Sequence, residues 1–167
     1  MRHFRLWALV VAIASLVGCG AESGDGGSSE EAAARLSAAS LGDQTVLTVS
    51  EYLAEERFAK ADQKNGSRQA QICKACHSLD EGGPNTIGPA LYGFFGKTAG
   101  QQPGFGYSPV LASADFVWTP RALDAWLAQP GYFLPGNRMT FAGVMKQKDR
   151  DDLIAYLLRS TSASNSE

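Results

Sequence analysis

Apolar residues are spread unevenly along the chain, and their spacing predicts distinct regions. Residues 6–17 form a nearly unbroken apolar run behind Arg2 and Arg5, too short to cross a bilayer as a helix. From Gly20 to about Ser40 small and polar residues dominate and little could form a core, which predicts a flexible tether. In residues 48–62, Val49, Tyr52 and Leu53 supply a partial apolar face, and Thr48 and Glu51 have capping-box spacing. A helix is expected there, and a shorter one over residues 67–76. Leu123, Trp126 and Leu127 form a buried stripe in residues 119–129, with Thr119 as N-cap, Pro120 at the first helical position and Pro130 as the stop. Leu153, Ile154, Tyr156, Leu157 and Leu158 mark a last helix over residues 149–160. Its first turn carries Asp149, Asp151 and Asp152, which complement the helix dipole. No strand pattern of any length and no internal repeat appears, so the expected fold is all-α and small.

The segment between the two middle helices runs for some forty residues with abundant Gly and Pro and one short apolar run at residues 91–95. So long a loop normally counts against a compact domain. A large apolar cofactor in the middle would give those loops something to pack against.

Length and charge narrow the class further. At 167 residues the chain suits one domain with extensions, and its 15 basic and 17 acidic residues leave no basic excess for nucleic acid. The apolar run ends in Leu16, Val17, Gly18 and Cys19, which resembles the lipobox of bacterial lipoproteins and implies cleavage before Cys19 and lipidation of its sulfur. Several acyl chains anchor stably where one is marginal. The expected organisation is a signal peptide at 1–18, lipidated Cys19 and tether over 19–47, a helical extension over 48–64, the main domain over 65–160 and a disordered tail over 161–167. Export to the periplasmic side follows, with the choice of inner or outer membrane left open. Cleavage removes one of the two histidines and leaves His77 alone.

His77 sits in the densest chemical signal of the chain, "QICKACHSLD", beside Cys73 and Cys76. Three chemistries use such residues. A structural zinc site wants four ligands, usually Cys or His, and the mature chain offers only these three plus carboxylates. A thioredoxin-like dithiol expects a βαβ setting, which the pattern lacks. C-x-x-C-H is also the attachment signature of c-type haem, in which two cysteines on a short helix reach one macrocycle edge and the adjacent imidazole faces the iron. Covalent haem c, one per chain through Cys73 and Cys76, is the expectation. With no second histidine, a methionine is expected opposite His77. Met139, in the Pro- and Gly-braced run "LPGNRM", suits that place better than Met145, which lies near the last helix.

The motifs "CKACHSL", "IGPALYGFFGKTAGQQPGFGYS", Trp118, "LPGNRMTFAG" and "DRDDLIAYL" together resemble the class I cytochrome c family, in its mitochondrial-like branch, from Gly66 to Leu158. The resemblance implies a class I cytochrome c fold of three main helices with long loops wrapped around one haem c. It implies thioethers at Cys73 and Cys76 and iron ligation by His77 and Met139. Pro89 matches the proline whose carbonyl fixes the proximal imidazole, Tyr107 and Trp118 match partners of a haem propionate, and Phe141 matches the aromatic over the haem edge. Gly66, Leu153 and Tyr156 match the crossing of the first and last helices. Trp126, Asn137 and Lys97 depart from the usual tyrosine, threonine and arginine. Ile72, Gly131, Tyr132 and Met145 occupy positions where the family often places docking lysines, so the lysine ring that would steer an acidic partner is mostly missing.

The function implied is electron carriage rather than catalysis, with no small-molecule substrate and no nucleic acid. The expected partners are the membrane, through the lipid anchor, and redox proteins, namely a quinol-oxidising complex and a terminal oxidase or reductase. The alternative is a fixed haem subunit of a larger oxidoreductase.

Overall fold

The computed structural model describes residues 37–162. The expected signal peptide, the lipidation candidate Cys19, most of the expected tether and the tail from 163 lie outside the described residues.

Two crossing helices form the centre. The first, α3 in chain order, runs Gln63–Lys74 and begins where the Asp62 carboxylate accepts from the N–H groups of Lys64 and Asn65. The last, α7, runs Gln147–Thr161 and buries Leu153, Ile154, Ala155, Leu157 and Leu158 almost completely. A fully buried leucine or isoleucine contributes about 1.5–3 kcal/mol, so this stripe alone accounts for much of the drive to fold. The helices meet at Gly66, where an added Cβ would lie 2.2 Å from the Asp152 carbonyl oxygen and 2.8 Å from Tyr156 Cβ. Only glycine permits that approach.

Helix α5, Pro120–Ala128, completes the core. Thr119 caps it by accepting from the Ala122 N–H, and Leu123, Trp126 and Leu127 are buried. Two single-turn helices, α4 (Pro109–Ala112) and α6 (Pro130–Phe133), each begin on a proline, whose fixed φ suits a first helical position. Among the described residues the only β pairing is one isolated antiparallel bridge, Thr98 to Val117.

The N-terminal extension differs from expectation in two ways. Residues 48–62 form two short helices, α1 (Val49–Ala54) and α2 (Glu56–Ala59), with the expected Thr48–Glu51 capping box at the start. Glu55, at ψ 138°, breaks them. The reason is geometric: Tyr52 and Phe58 are six positions apart, about 240° around a continuous helix, and could not share one face. The break lets both enter the core, at 6% and 0% exposure.

Docking also begins earlier than composition suggests. Residues 37–47, read as tether, lie against the domain: Leu41 is 2% exposed, and the Gln44 side chain is hydrogen-bonded to Val117 and Thr119. Leu41 and Gln44 supply the main side-chain contacts from a run of mostly small and polar residues, too sparse a pattern to register as a core segment. At the other end Thr161, assigned to the tail, is the last helical residue and fully buried, with its carbonyl accepting from the Gly93 N–H. Among the described residues no helix is long and apolar enough to cross a membrane.

Candidate functional site

The C-x-x-C-H run spans the end of α3. Cys73 lies in the last turn, and the N–H groups of Cys76 and His77 both donate to its carbonyl, curling the chain so that the next turn closes on itself. The loop that follows is stitched back onto this turn. Gly88 N–H donates to Cys76 O at 2.7 Å, Leu91 N–H to Ser78 O at 2.8 Å, and the Thr86 hydroxyl also donates to Cys76 O.

His77 is held from two sides. Its Nδ1 lies 2.7 Å from the Pro89 carbonyl oxygen. A carbonyl can only accept, so Nδ1 carries the proton and Nε2 keeps its lone pair for a ligand. Gly88 supports the ring from beneath, since a Cβ there would sit 2.3 Å from His77 Cε1. Burial pushes the imidazole below its ordinary range, outweighing the Pro89 hydrogen bond, and so favours the neutral form that ligates metal.

These residues line a cavity of about 610 Å³, within the roughly 300–1,000 Å³ typical of cofactor and ligand sites. Cys73, Cys76, His77 and Pro89 border it together with Tyr107, Trp118, Met139 and Phe141, so the structure brings every predicted cofactor residue to one space. Behind it stands an aromatic cluster. Trp118 meets Phe116 edge-on at 4.9 Å and Trp126 at 5.5 Å, and Phe133 packs against both Phe116 and Trp126. Trp126 is therefore a wall residue, 5% exposed, where a tyrosine was the familiar choice.

Met139 arrives on the loop after α6, and that loop is braced by Asn137. The Asn137 amide donates to Pro130 O and Leu134 O, both at 2.9 Å, while its Oδ1 accepts from the Met139 N–H. Met145 does not reach this cavity; it is 78% exposed.

Electrostatics and orphaned polar atoms test the fit to haem. Burial pushes the Tyr107 hydroxyl above its usual range. Ser108, beside it, has its Oγ buried without a hydrogen-bond partner and borders the same cavity. A buried hydroxyl without a partner is uncommon, and an acidic edge on the occupant would satisfy it. Sequence reading passed over Ser108, whose only signal was its place between Tyr107 and Pro109. The apolar walls, the lone pair of His77 Nε2, two cysteines on one side and the orphaned hydroxyl all fit haem.

The competing chemistries fit less well. Burial and the neighbouring Cys76 push the Cys73 thiol up to about 11. A working redox dithiol needs its attacking thiol lowered instead. Among the described residues no three His, Cys, Asp or Glu side chains gather as a metal-holding group.

Part of the cavity rim and the surface beside it are apolar. Ile72, Ile87 and Met145 are 57%, 79% and 78% exposed, and Ile72 and Ile87 border the cavity. Ile72 and Met145 also share a smaller hollow with Phe141 and Val144. Lys97 and Arg138 are the cationic residues on the main cavity's lining.

No family model matches the chain. A cytochrome c2 of Agrobacterium tumefaciens is 39% identical over 111 residues, covering 65% of this chain and 100% of that protein. A cytochrome c of Kluyveromyces lactis is 32% identical over 104 residues, 62% of this chain and 94% of its own length. A cytochrome c homolog of Bradyrhizobium diazoefficiens is 39% identical over 104 residues, 62% of this chain and 56% of that protein.

Proposed function

The chain belongs to the class I cytochrome c family, a family of haem electron carriers rather than enzymes, and on that premise we propose that it is a membrane-tethered mono-haem carrier in a respiratory chain. In this reading it accepts electrons from a quinol-oxidising complex and delivers them to a terminal oxidase or reductase. Cys73 and Cys76 hold the haem covalently, and His77 and Met139 are the two iron ligands. Cys19, lipidated after removal of residues 1–18, keeps the protein on the periplasmic side of a membrane.

One observation carries the reading of the site. His77, with its Nδ1 engaged by the Pro89 carbonyl, borders the same cavity as Met139 and both cysteines. When bound, haem supplies an iron that takes up and returns a single electron. The protein's part is to hold that site still and dry. Pro89 fixes the imidazole's tautomer and orientation, as partners of metal-bound histidines do. Asn137 restrains the loop that presents Met139. Trp118, Trp126 and Phe141 exclude water from the cavity, and Tyr107 with Ser108 offers hydroxyls to the occupant's acidic edge. Met139, as the second ligand, would raise the potential and leave no position for a substrate.

With residues 37–47 docked, the segment between Cys19 and Ser37 spans at most about 60 Å when fully extended. The anchor therefore keeps the domain close to its membrane, and raises the effective concentration of partners held there.

The test is a redox-titrated absorption spectrum of membranes that express the full chain. Haem retained after denaturation, together with the oxidised-state band of methionine–iron ligation, supports the reading. Met139→Ala should abolish that band. A wild-type spectrum lacking it, with rapid binding of cyanide or carbon monoxide, overturns the carrier assignment. Loss of membrane association in Cys19→Ala tests the anchor separately. Purification as part of a stable oxidoreductase complex would favour the fixed-subunit alternative.

A further inference from the structure

The wall that carries Trp118 has two edges, and they are held differently. On one side the backbone of residues 96–99 pairs with it: Trp118 N–H donates to Lys97 O at 2.9 Å, Gly96 N–H to Trp118 O at 3.0 Å and Ala99 N–H to Phe116 O at 2.9 Å. On the other side the partner is one side chain from 73 residues earlier. Gln44 Oε1 accepts from the Val117 N–H at 2.7 Å, and Gln44 Nε2 donates to Val117 O at 2.8 Å and to Thr119 Oγ1 at 2.9 Å. The amide thus serves Val117 as a peptide group of a neighbouring strand would. Thr119 is in turn the cap of α5, which carries Leu123, Trp126 and Leu127 into the same cavity.

Gln44 is itself fixed at both ends. Leu41 is buried and its carbonyl accepts from Arg121 Nη1 at 3.0 Å, while the Tyr52 hydroxyl accepts from Leu47 N–H and donates to Thr45 O. The segment has its own anchorage, so it can impose a position on the wall rather than follow it.

We infer that Gln44 is a positioning residue for the haem cavity: through Val117 and Thr119 it sets the placement of Trp118 and of α5, and so the dryness of the site. The inference rests on reading the cavity as the haem site. It gives the segment before the helical extension a role in tuning the cofactor as well as in linking the domain to an anchor.

The test uses the full-length haem-loaded protein. Gln44→Met keeps the side chain's volume and removes its hydrogen bonds. Phe58→Leu, which loosens the packing of α2 and removes none of Val117's hydrogen bonds, is the comparison for lost stability. Two quantities are read: amide hydrogen exchange at Trp118, Gly96 and Ala99 relative to amides of α3 and α7, and the midpoint potential. In Gln44→Met, exchange at those three amides should rise about tenfold or more over the helices. The potential should fall, because a loosened wall admits water beside the cofactor. Phe58→Leu should accelerate exchange without that local excess and leave the potential in place. Unchanged exchange and potential in Gln44→Met, or equal changes in Phe58→Leu at matched stability, overturn the inference. If Gln44→Met does not fold, Gln44→Glu keeps the acceptor for Val117 N–H and is read at the same amides. If the wild type holds no haem, the reading of the cavity fails, while exchange at Trp118 still decides the role of Gln44.

Discussion

Asn137 and Met139 are joined by a hydrogen bond of 2.9 Å from the Met139 N–H to Asn137 Oδ1, two residues apart in the chain. The other end of the same side chain donates to Pro130 O and Leu134 O. Met139 is therefore tied to α6 through one amide, and a thioether on a long flexible stem gains a fixed base. Asparagine is suited to this because it offers an acceptor and two donors at once.

Removing that brace should loosen the methionine without unfolding the domain. Asn137→Ala deletes hydrogen bonds worth about 1 kcal/mol each, and a loss of 1.4 kcal/mol is tenfold in an equilibrium. In the haem-loaded protein the methionine–iron band should weaken, and cyanide should bind about tenfold faster. Asn137→Asp retains the acceptor and should fall between the two. Stopped-flow cyanide binding measures it; wild-type rates in Asn137→Ala would show that the loop is held by other means.

A second prediction concerns acid. Asp152, 1% exposed, accepts from Asp62 N–H, from the Asn65 amide and from Lys148. Burial pushes its carboxyl up, but the hydrogen bonds from Asn65, Lys148 and Asp62 outweigh burial and hold it below the ordinary range. A folded-state pKa below the unfolded one adds stability above the unfolded value near 3.8, and that stability is lost as pH falls through the folded value. Urea unfolding from pH 6 down to pH 2.5 should show this decline. Asp152→Asn should lower stability at pH 6 by about 2 kcal/mol and flatten the acid limb. An unaltered pH profile in that variant would assign the acid loss elsewhere.

What was readable beforehand follows from how chemistry is encoded. Cys73, Cys76 and His77 are adjacent in the chain, so their convergence needed no folding to be seen. Thr119 with Pro120, and the α7 stripe from Leu153, declare helices by local rules that tertiary contacts then respected. Residues 41–47 were opaque for the opposite reason. Gln44 is ordinary until Val117 lies beside it, and Leu41 is a lone apolar residue until a core closes over it. The break at Glu55 is likewise set by what Tyr52 and Phe58 must both reach. Ser108 reveals itself only through a buried hydroxyl with no partner.

Two of the glycines at close approaches, Gly66 and Gly88, should fail in different ways. Gly66→Ala drives a methyl to 2.2 Å from Asp152 O, and overpacking of this kind costs about 1–3 kcal/mol, more than alanine's gain of about 1 kcal/mol in a helix. The expected result is a lower unfolding midpoint with ordinary haem ligation. Gly88→Ala places its methyl 2.3 Å from His77 Cε1 instead. It should disturb the proximal ligand spectrum while changing the midpoint less. Denaturation followed in parallel by helix ellipticity and by the haem band separates the two; identical behaviour would contradict the separation of helix crossing from ligand support.

The apolar rim yields the last prediction. Ile72 and Ile87 at the cavity, with Met145 beside Ile72, leave hydrocarbon exposed, and association through such a surface buries apolar area rather than pairing charges. Salt at 0.1 M already screens exposed charges beyond about 10 Å, so a charge-steered carrier slows steeply as salt rises. This protein should not: its second-order rate of electron exchange with an isolated partner complex should change by less than about threefold between 50 and 500 mM salt. Ile72→Lys with Met145→Lys should create a salt dependence where there was little, its sign reporting the partner's charge. Ile87→Ser should slow exchange at every salt concentration by removing apolar contact. A wild-type rate that collapses with salt would place the docking energy on Lys97, Arg138 and their neighbours instead of on the rim.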